Sequence, residues 1–115
     1  MFRFETLDIW HLAVEYCQHI FTIVDDLPQK VQYNLGAQLR SAVLSISNNI
    51  AEGSGSDSKA EFKNFLNYSI RSIFEVVSML IIMKNNRYID DKKFQELYMK
   101  GELLVKKISA FRKSL

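Results

Sequence analysis

The stretch SKAEFKNFLNYSIRSIFEVVSMLIIMKNN, residues 58–86, decides the fold class of this chain. It opens with Ser58 and Glu61 at the spacing of a capping box, in which each side chain bonds an amide of the first helical turn. Apolar residues then recur every three or four positions, which is the repeat of a long amphipathic helix. The stretch therefore predicts a helix that begins near Ser58 and ends near Asn85 and Asn86.

Three further segments show the same helical repeat, and only short connections separate them. The first helix is predicted over residues 7–24, with Thr6 as its N-cap. The second is predicted over residues 32–52 with Gly53 as its C-cap, and the fourth begins near Asp90. Short links between long amphipathic helices favour antiparallel neighbours. The predicted fold is therefore all-α, an antiparallel up-and-down four-helix bundle.

Length and composition exclude several other classes of protein. The 115 residues bound the chain to one domain, residues 1–115, and the 48% apolar fraction is too high for a disordered chain. Four glycines and one proline are too few for a β-rich domain, and a single cysteine excludes an internal disulfide framework. The apolar stretch at residues 73–83 is shorter than the roughly 20 residues that span a membrane. Because the N-terminus lacks a signal-peptide pattern, we expect a cytoplasmic protein with no membrane partner.

Charge is divided unevenly between the two halves of the chain. Residues 1–57 hold three basic and seven acidic side chains, a net charge of −4, whereas residues 58–115 hold twelve and six, a net charge of +6. A basic surface attracts the phosphates of nucleic acid, but a lysine-rich surface also serves simply to keep a helix soluble. Both interpretations stay open, because Glu96 and Glu102 interrupt the basic run. The candidate nucleic-acid-binding residues on the fourth helix are Lys93, Lys100, Lys106, Lys107, Arg112 and Lys113.

Five consecutive apolar residues, 79–83, point in all directions around the third helix. A helix on the outside of a single four-helix bundle cannot bury all of them. Each large apolar side chain left in water forgoes roughly 1.5–3 kcal/mol, so an exposed patch of this kind usually marks an interface. The sequence therefore predicts a homo-oligomer that associates partly through Met79 and Ile82. The alternative is that a single chain tolerates such side chains in water.

A polar stripe on the second helix predicts either a hydrogen-bonded network that fixes helix register or subunit contact, or a solvated face. Serine and asparagine recur there at helical spacing although both are weak helix formers. Glu52 also lies in the last turn, where its negative charge opposes the helix dipole, so it needs a basic partner. Candidate partners are Arg40, Lys63 and Arg71, from the same chain or a neighbouring one. The residues assigned to the network or to a subunit interface are Arg40, Ser45, Asn49, Glu52, Arg71, Ser72, Glu75, Met79 and Ile82.

Residues typical of enzymes are few. His11, Glu15 and His19 recur at helical spacing on the wet side of the first helix, where a pair could hold a metal, but no third ligand is evident. Cys17 is in phase with the apolar residues, which favours a core thiol over a nucleophile. No paired carboxylates, phosphate loop or serine–histidine pattern is found. We therefore predict no metal, no cofactor, no catalytic residue and no enzymatic activity.

The run QLRSAVLSISNNIAEGSG, residues 38–55, carries a family resemblance. It is similar to the signature of the bacterial four-helix-bundle family named for proteins encoded in 23S rRNA intervening sequences, whose relatives include the accessory variability protein of diversity-generating retroelements. The run at residues 49–53 is fairly specific. Ser47 replaces a common proline of the family, and Arg71 a common glycine. Further matching positions are Phe4, Leu7, Trp10, Ala13, Leu27, Pro28, Leu35, Glu61, Phe62, Leu66, Ser72 and Glu75.

The resemblance implies a homopentameric barrel of four-helix bundles without known catalysis. In the retroelement branch it also implies binding to a reverse transcriptase and to nucleic acid, but that branch tends to be strongly basic, and this chain has a net charge of only +2. The leading hypothesis is a non-enzymatic oligomer that binds RNA or DNA non-specifically through the fourth helix. The alternative is a protein-interaction scaffold or accessory subunit, for example a partner of a reverse transcriptase, that does not itself bind nucleic acid.

Overall fold

Four long helices and no strands make up the fold of residues 1–115 in a computed structural model. Each long helix packs against the next along the chain, and the last packs against the first, so the four close around one hydrophobic core. This arrangement confirms the prediction of an all-α four-helix bundle. After a short 3-10 helix at Arg3–Thr6, the helices are α1 (Asp8–Asp25), α2 (Ala37–Ser54), α3 (Lys59–Asn85) and α4 (Asp91–Lys113).

Side-chain caps begin α3 and α4 where the sequence predicts them. The Ser58 hydroxyl accepts a hydrogen bond from the Glu61 amide at 3.0 Å, and the Asp90 carboxylate accepts one from the Lys93 amide at 2.7 Å. Each bond satisfies an amide that has no partner within the first turn of a helix. The predicted starts of these two helices are therefore confirmed.

The first helix occupies almost the predicted range, but its cap is different. Thr6 is not the N-cap, because its hydroxyl donates to the Arg3 carbonyl oxygen at 2.7 Å within the 3-10 helix. Leu7 takes the capping position without a side-chain hydrogen bond. The helix ends at Asp25, shortly before Pro28, since proline cannot continue a regular helix.

A π-helical segment leads into α2 where the sequence predicts a regular helix. A single α-helical turn at Gln29–Val31 is followed by the π-helix Gln32–Gly36, and α2 begins directly after it. The Gln32 side chain donates hydrogen bonds to the carbonyl oxygens of Val24 at 2.7 Å and Leu27 at 2.9 Å. These bonds tie the segment to the end of α1, where a helix leaves its last carbonyl groups without partners.

Gly53 is a point of close helix packing and not the C-cap that the sequence predicts. The helix α2 continues through it and is capped at Gly55. A β-carbon on Gly53 would lie 2.7 Å from the Phe65 Cβ and 2.8 Å from the Phe62 Cδ1, closer than carbon atoms pack. The absence of a side chain therefore lets the end of α2 and the start of α3 approach each other.

The consecutive apolar residues of α3 divide between the core and the surface. Met79, Leu80 and Met83 are buried, whereas Ile81 is 41% exposed and Ile82 is 47% exposed. The prediction that Met79 is exposed at a subunit surface is wrong, because its side chain packs in the core of its own chain. Ile82 does lie on the surface, and Ile81 lies there with it.

By length and composition, α3 as a whole could cross a membrane. The sequence analysis considered only the shorter apolar stretch at residues 73–83, which is too short for a span. The helix has 27 residues, and an 18-residue window within it has a mean hydropathy of 1.5. The same helix forms one wall of the bundle. The buried Ser69 hydroxyl donates to the carbonyl oxygen of the buried Ile46, on α2, at 2.6 Å. Core packing accounts for only part of the apolar character of α3, since 33% of that window is buried in the bundle.

Candidate assembly and nucleic-acid surfaces

An open apolar groove runs between α3 and α4 on the outside of the bundle, with a volume of about 480 Å³. Phe74 and Ile81, one heptad apart on α3, contribute to one wall, and Tyr98 and Val105, one heptad apart on α4, contribute to the other. Phe74 is 65% exposed although it is a large apolar side chain. We refer to the surface formed by these four residues as the α3–α4 groove.

The exposed apolar surface extends beyond this groove. Of the ten large apolar side chains that are exposed, six lie on α3 and α4. Exposed apolar patches mark sites of association in soluble proteins. The six do not form one continuous surface, because Leu103 borders a pocket between α4 and α1. The six side chains are Tyr68, Phe74, Ile81, Ile82, Met99 and Leu103.

The basic residues predicted to form one surface on α4 are divided along the helix. Lys93 pairs with Glu96 at 3.6 Å, and Lys100 pairs with Glu15 of α1 at 3.9 Å. Lys93 is also about 30 Å from the end of α4, at 1.5 Å per residue. The other four form no ion pair, and all of them lie in the last two turns of α4: Lys106, Lys107, Arg112 and Lys113.

These four cations surround the end of α4 and do not line a single flank. Lys107 borders a groove that the start of α1 also lines, and Lys106 borders the α3–α4 groove. The Arg112 Nε donates to the Lys63 carbonyl oxygen at 3.3 Å, which places the start of α3 at the same end of the bundle. Arg3 lies there too, because its guanidinium sits 5.1 Å above the neighbouring Phe62 ring. We refer to this set as the basic end: Arg3, Lys63, Lys106, Lys107, Arg112 and Lys113.

The oppositely charged halves of the sequence become two pairs of neighbouring helices. Residues 1–57 supply α1 and α2, which pack together, and residues 58–115 supply α3 and α4, which also pack together. The net charges of −4 and +6 therefore belong to different walls of the bundle. The wall that carries the basic end also carries the α3–α4 groove.

Part of the predicted polar stripe forms a hydrogen-bonded network between α2 and α3. The Asn49 side chain donates to the Ser45 carbonyl oxygen at 2.8 Å and to the Ser45 hydroxyl at 2.9 Å. The Ser72 hydroxyl lies 2.9 Å from the Ser45 hydroxyl, so the network crosses between the two helices within one chain. Further along the same contact, the Gln38 side chain donates to the Glu75 carboxylate at 3.4 Å.

The signature segment at residues 38–55 thus corresponds to α2 almost in full, with its network facing α3. A family model described as 23S rRNA-intervening sequence protein matches residues 5–110. The chain belongs to this family. The match spans all four helices except the last turn of α4. A comparison with curated proteins gave no match.

The predicted basic partner of Glu52 is not found within a single chain. Arg40 instead pairs with Asp25, and its guanidinium lies 5.2 Å from the centre of the Phe21 ring. Neither Arg71 nor Glu52 forms an ion pair, and both are exposed. Glu52 is exposed to water in a single chain, and a basic partner from a neighbouring chain stays a prediction.

The two histidines of α1 each lie close to one possible partner. The His11 Nε2 lies 2.7 Å from the Glu5 carbonyl oxygen, and His19 lies 3.8 Å from Glu15. No group of three such side chains is arranged to hold a metal ion. Burial raises the pKa of the Cys17 thiol, and a protonated thiol is a poor nucleophile.

An aromatic cluster at the start of the chain is a feature that the sequence analysis missed. The Phe2 and Phe4 rings stack with centres 5.7 Å apart and planes 16° apart, and the Trp10 ring packs 4.9 Å from Phe4. Phe2 remains 73% exposed. The available signal was the run FRF at residues 2–4, because these aromatic residues precede the first helical repeat and have no place in its core. We refer to Phe2, Phe4 and Trp10 as the aromatic cluster.

Proposed function

We propose that this protein is a non-enzymatic, cytoplasmic homo-oligomer that binds RNA or DNA without sequence preference through its basic end. The observation that carries the proposal is the group of four cations in the last two turns of α4, none of which forms an ion pair. A cation that no carboxylate neutralises is free to replace a counterion of the phosphate backbone. Contacts of this kind position a protein on nucleic acid but read no sequence.

The α3–α4 groove supports the oligomeric part of the proposal. Burying a large apolar side chain contributes roughly 1.5–3 kcal/mol, and Phe74, Ile81 and Ile82 offer three such side chains per copy. The family resemblance implies five copies. An assembly places several basic ends on one particle, so that individually weak contacts with one nucleic-acid strand add by avidity.

The side chains that are chemically best suited to catalysis are not arranged for it, which supports the proposal that the protein is not an enzyme. The Cys17 thiol is buried and its pKa is raised, so it is not activated. Glu15 lies within ion-pair distance of both His19 and Lys100 on an exposed helix surface, where water competes with any substrate. Neither arrangement holds a nucleophile beside a base and an oxyanion site.

Gel filtration coupled to light scattering tests the assembly. The wild-type mass should be a multiple of 13.4 kDa, and Ile81→Lys should lower it towards one chain because a buried unpaired charge is costly. Leu44→Lys is the matched control, since Leu44 on α2 and Ile81 are both 41% exposed. A wild-type protein that stays a well-folded 13.4 kDa subunit at high concentration contradicts the oligomer.

Fluorescence anisotropy with labelled duplex DNA tests the basic end. The slope of log affinity against log salt should be about −0.9 for each phosphate contact, so Lys107→Glu with Lys113→Glu should weaken binding and flatten the slope by about 1.8. The control is Lys92→Glu with Lys93→Glu, which makes the same charge change at the other end of α4. Wild-type protein that binds no nucleic acid at about 50 mM salt contradicts this part of the proposal.

The exposed apolar surface also favours a second candidate, a protein-interaction scaffold whose protein partner docks in the α3–α4 groove. A pull-down from the native host, with RNA and protein both identified, distinguishes the two. A protein partner, such as the reverse transcriptase that the family resemblance suggests, should be lost with Ile81→Lys and retained with Lys107→Glu and Lys113→Glu. Recovery of RNA that depends on the two lysines favours the first candidate.

A further inference from the structure

We propose that the aromatic cluster is a base-stacking platform that makes this protein prefer single-stranded over duplex nucleic acid. The inference rests on the proposed nucleic-acid binding, and it states which class of nucleic acid binds at the basic end of the bundle. It follows from the juxtaposition of an exposed aromatic stack with cations that form no ion pair, although Asp8 lines the same groove as Lys107.

The stack has one open face. Phe2 lies on Phe4 in a nearly parallel arrangement, with planes 16° apart, and Phe4 is supported from behind by Trp10 at 4.9 Å. The outer Phe2 ring is 73% exposed, so a flat aromatic group can continue the stack without displacing a side chain. Every nucleobase offers such a π-face, which is why aromatic platforms bind single strands with little sequence preference.

Two hydrogen bonds fix the backbone that carries the Phe2 ring. The Phe2 amide donates to the Glu5 carboxylate at 2.8 Å, and the Glu5 amide donates to the Phe2 carbonyl oxygen at 3.1 Å. This reciprocal pair fixes the 3-10 helix that carries the ring. A platform that is ordered before binding loses less conformational freedom when a base stacks on it.

Cations lie beside the platform, where the backbone of a stacked strand would run. Arg3 follows Phe2 directly, and its guanidinium sits 5.1 Å above the Phe62 ring. Lys107 borders the groove at the start of α1, next to the 3-10 helix, and Arg112 contacts the backbone of the start of α3. Stacking and phosphate neutralisation are thus available at one end of the bundle.

The preference for single strands follows from the accessibility of the bases. In a duplex the π-faces are covered by neighbouring base pairs, so only the cations contribute to binding. An unpaired base can turn outwards and stack on Phe2 as well. The single strand therefore gains a contact that the duplex lacks, while both keep the same contacts with the cations.

The test compares a labelled single-stranded RNA 20-mer with its own duplex, both titrated by anisotropy with the full-length protein at about 50 mM salt. Phe2→Ala should weaken single-strand binding by about 5- to 140-fold and leave duplex binding unchanged. Phe2→Trp should keep the preference because it keeps a stacking face. Tyr33→Ala is the matched control, since Tyr33 is 86% exposed but lies after α1, at the other end of the bundle.

Each outcome decides the inference. A selective loss of single-strand affinity in Phe2→Ala, with Tyr33→Ala unchanged, supports it. Wild-type protein that binds both probes equally, or a Phe2→Ala variant that loses neither, overturns the platform and leaves the proposed function standing. A Phe2→Ala variant that loses both equally also overturns the platform, and a fall in its mass by light scattering shows that Phe2 packs against another copy. No binding of either probe to the wild type overturns both proposals.

Discussion

The helix α3 meets its two neighbours in opposite ways. Against α2 it packs so closely that Gly53 has no room for a β-carbon, and the buried Ser69 hydroxyl donates to the Ile46 carbonyl oxygen at 2.6 Å. Against α4 its outer edge stands open as a groove of about 480 Å³, in which Phe74 stays 65% exposed. One helix therefore supplies both a tight contact that fixes the fold and a loose one that is suited to association.

The largest predicted effect is a difference in stability between substitutions at two adjacent residues of α3. Leu80 is fully buried, so Leu80→Ala should lower the free energy of unfolding by about 2–5 kcal/mol through lost burial and a residual cavity. Ile81 is 41% exposed, so Ile81→Ala should cost less, about 1 kcal/mol in the dissociated chain, because it removes only partly buried methyl groups. Urea denaturation at low protein concentration measures both. Equal losses would show that the groove is closed and that the comparison fails.

Two glycines test the closeness of the helix contacts directly. Gly53→Ala forces a β-carbon to 2.7 Å from the Phe65 Cβ, which is anchored to the backbone, so α2 and α3 must separate. We expect a loss of about 1–3 kcal/mol from overpacking. At Gly101 of α4 the nearest atoms, the Tyr16 Oη and the Val77 Cγ2, are 3.0 Å away and belong to side-chain ends.

Gly101→Ala should therefore destabilise the protein less than Gly53→Ala, because small side-chain shifts accommodate it and alanine gains up to about 1 kcal/mol of helix propensity. The melting temperatures of the two variants give the order. A larger loss of stability at Gly101 would mean that α4 packs against its neighbours more tightly than α2 packs against α3.

The helices themselves were predictable because their signals are local. Ser58 and Asp90 cap the helices that follow them with bonds to residues three positions on, and that spacing is visible in the sequence. The apolar repeat then places Leu80 in the core without any knowledge of the neighbouring helices. The starts of α3 and α4, the helix order and most of the core follow from such short-range rules.

Contacts between helices were harder to predict because they depend on distances that the sequence does not contain. A glycine near the end of a helix is typical of a C-cap, and only its distance from Phe65 identifies Gly53 as a packing position. Helical spacing correctly places Lys93, Lys100 and Lys107 one heptad apart. It cannot reveal that Glu15 of another helix pairs with Lys100, which leaves the unpaired cations at the end of α4.

The sequence does not show which residues of a continuous apolar run face the core and which face the surface. Residues 79–83 are all apolar, so hydrophobicity does not show which of them face the core. Successive side chains are about 100° apart around a helix, and an error of one position exchanges a buried residue for an exposed one. This is why the prediction of an exposed side chain is right for Ile82 but wrong for Met79, and why it omits the exposed Ile81.

On the side of α4 away from the groove, Tyr16 should make stability depend on pH. Its hydroxyl donates to the Leu97 carbonyl oxygen at 3.2 Å, and burial raises its pKa well above the ordinary value of 10.0. The folded state therefore keeps this proton above pH 10, where the unfolded state releases it. Stability is unaffected by this group below that pH and falls by up to about 1.4 kcal/mol per pH unit above it.

Urea denaturation of wild type and Tyr16→Phe at pH 9 and pH 11 measures this contribution. The wild type should lose more stability than the variant between the two pH values, since phenylalanine has no proton to release. Tyr33→Phe, at an 86% exposed position, should behave as the wild type does. Parallel losses in wild type and Tyr16→Phe would contradict the assignment of the effect to Tyr16.

The smallest predicted effect compares two serines of α3 that face its two neighbours. Ser69 is fully buried against α2, and replacing it with alanine removes its bond to Ile46, so Ser69→Ala should cost about 1 kcal/mol. Ser78 borders the α3–α4 groove and is exposed, so Ser78→Ala should change stability by less than about 0.5 kcal/mol. Denaturant midpoints at matched protein concentration resolve the difference. If Ser78→Ala were the more costly change, the hydroxyl group that stabilises α3 would be the one on its α4 side. The contact with α4 would then fix the fold, and the contact with α2 would not.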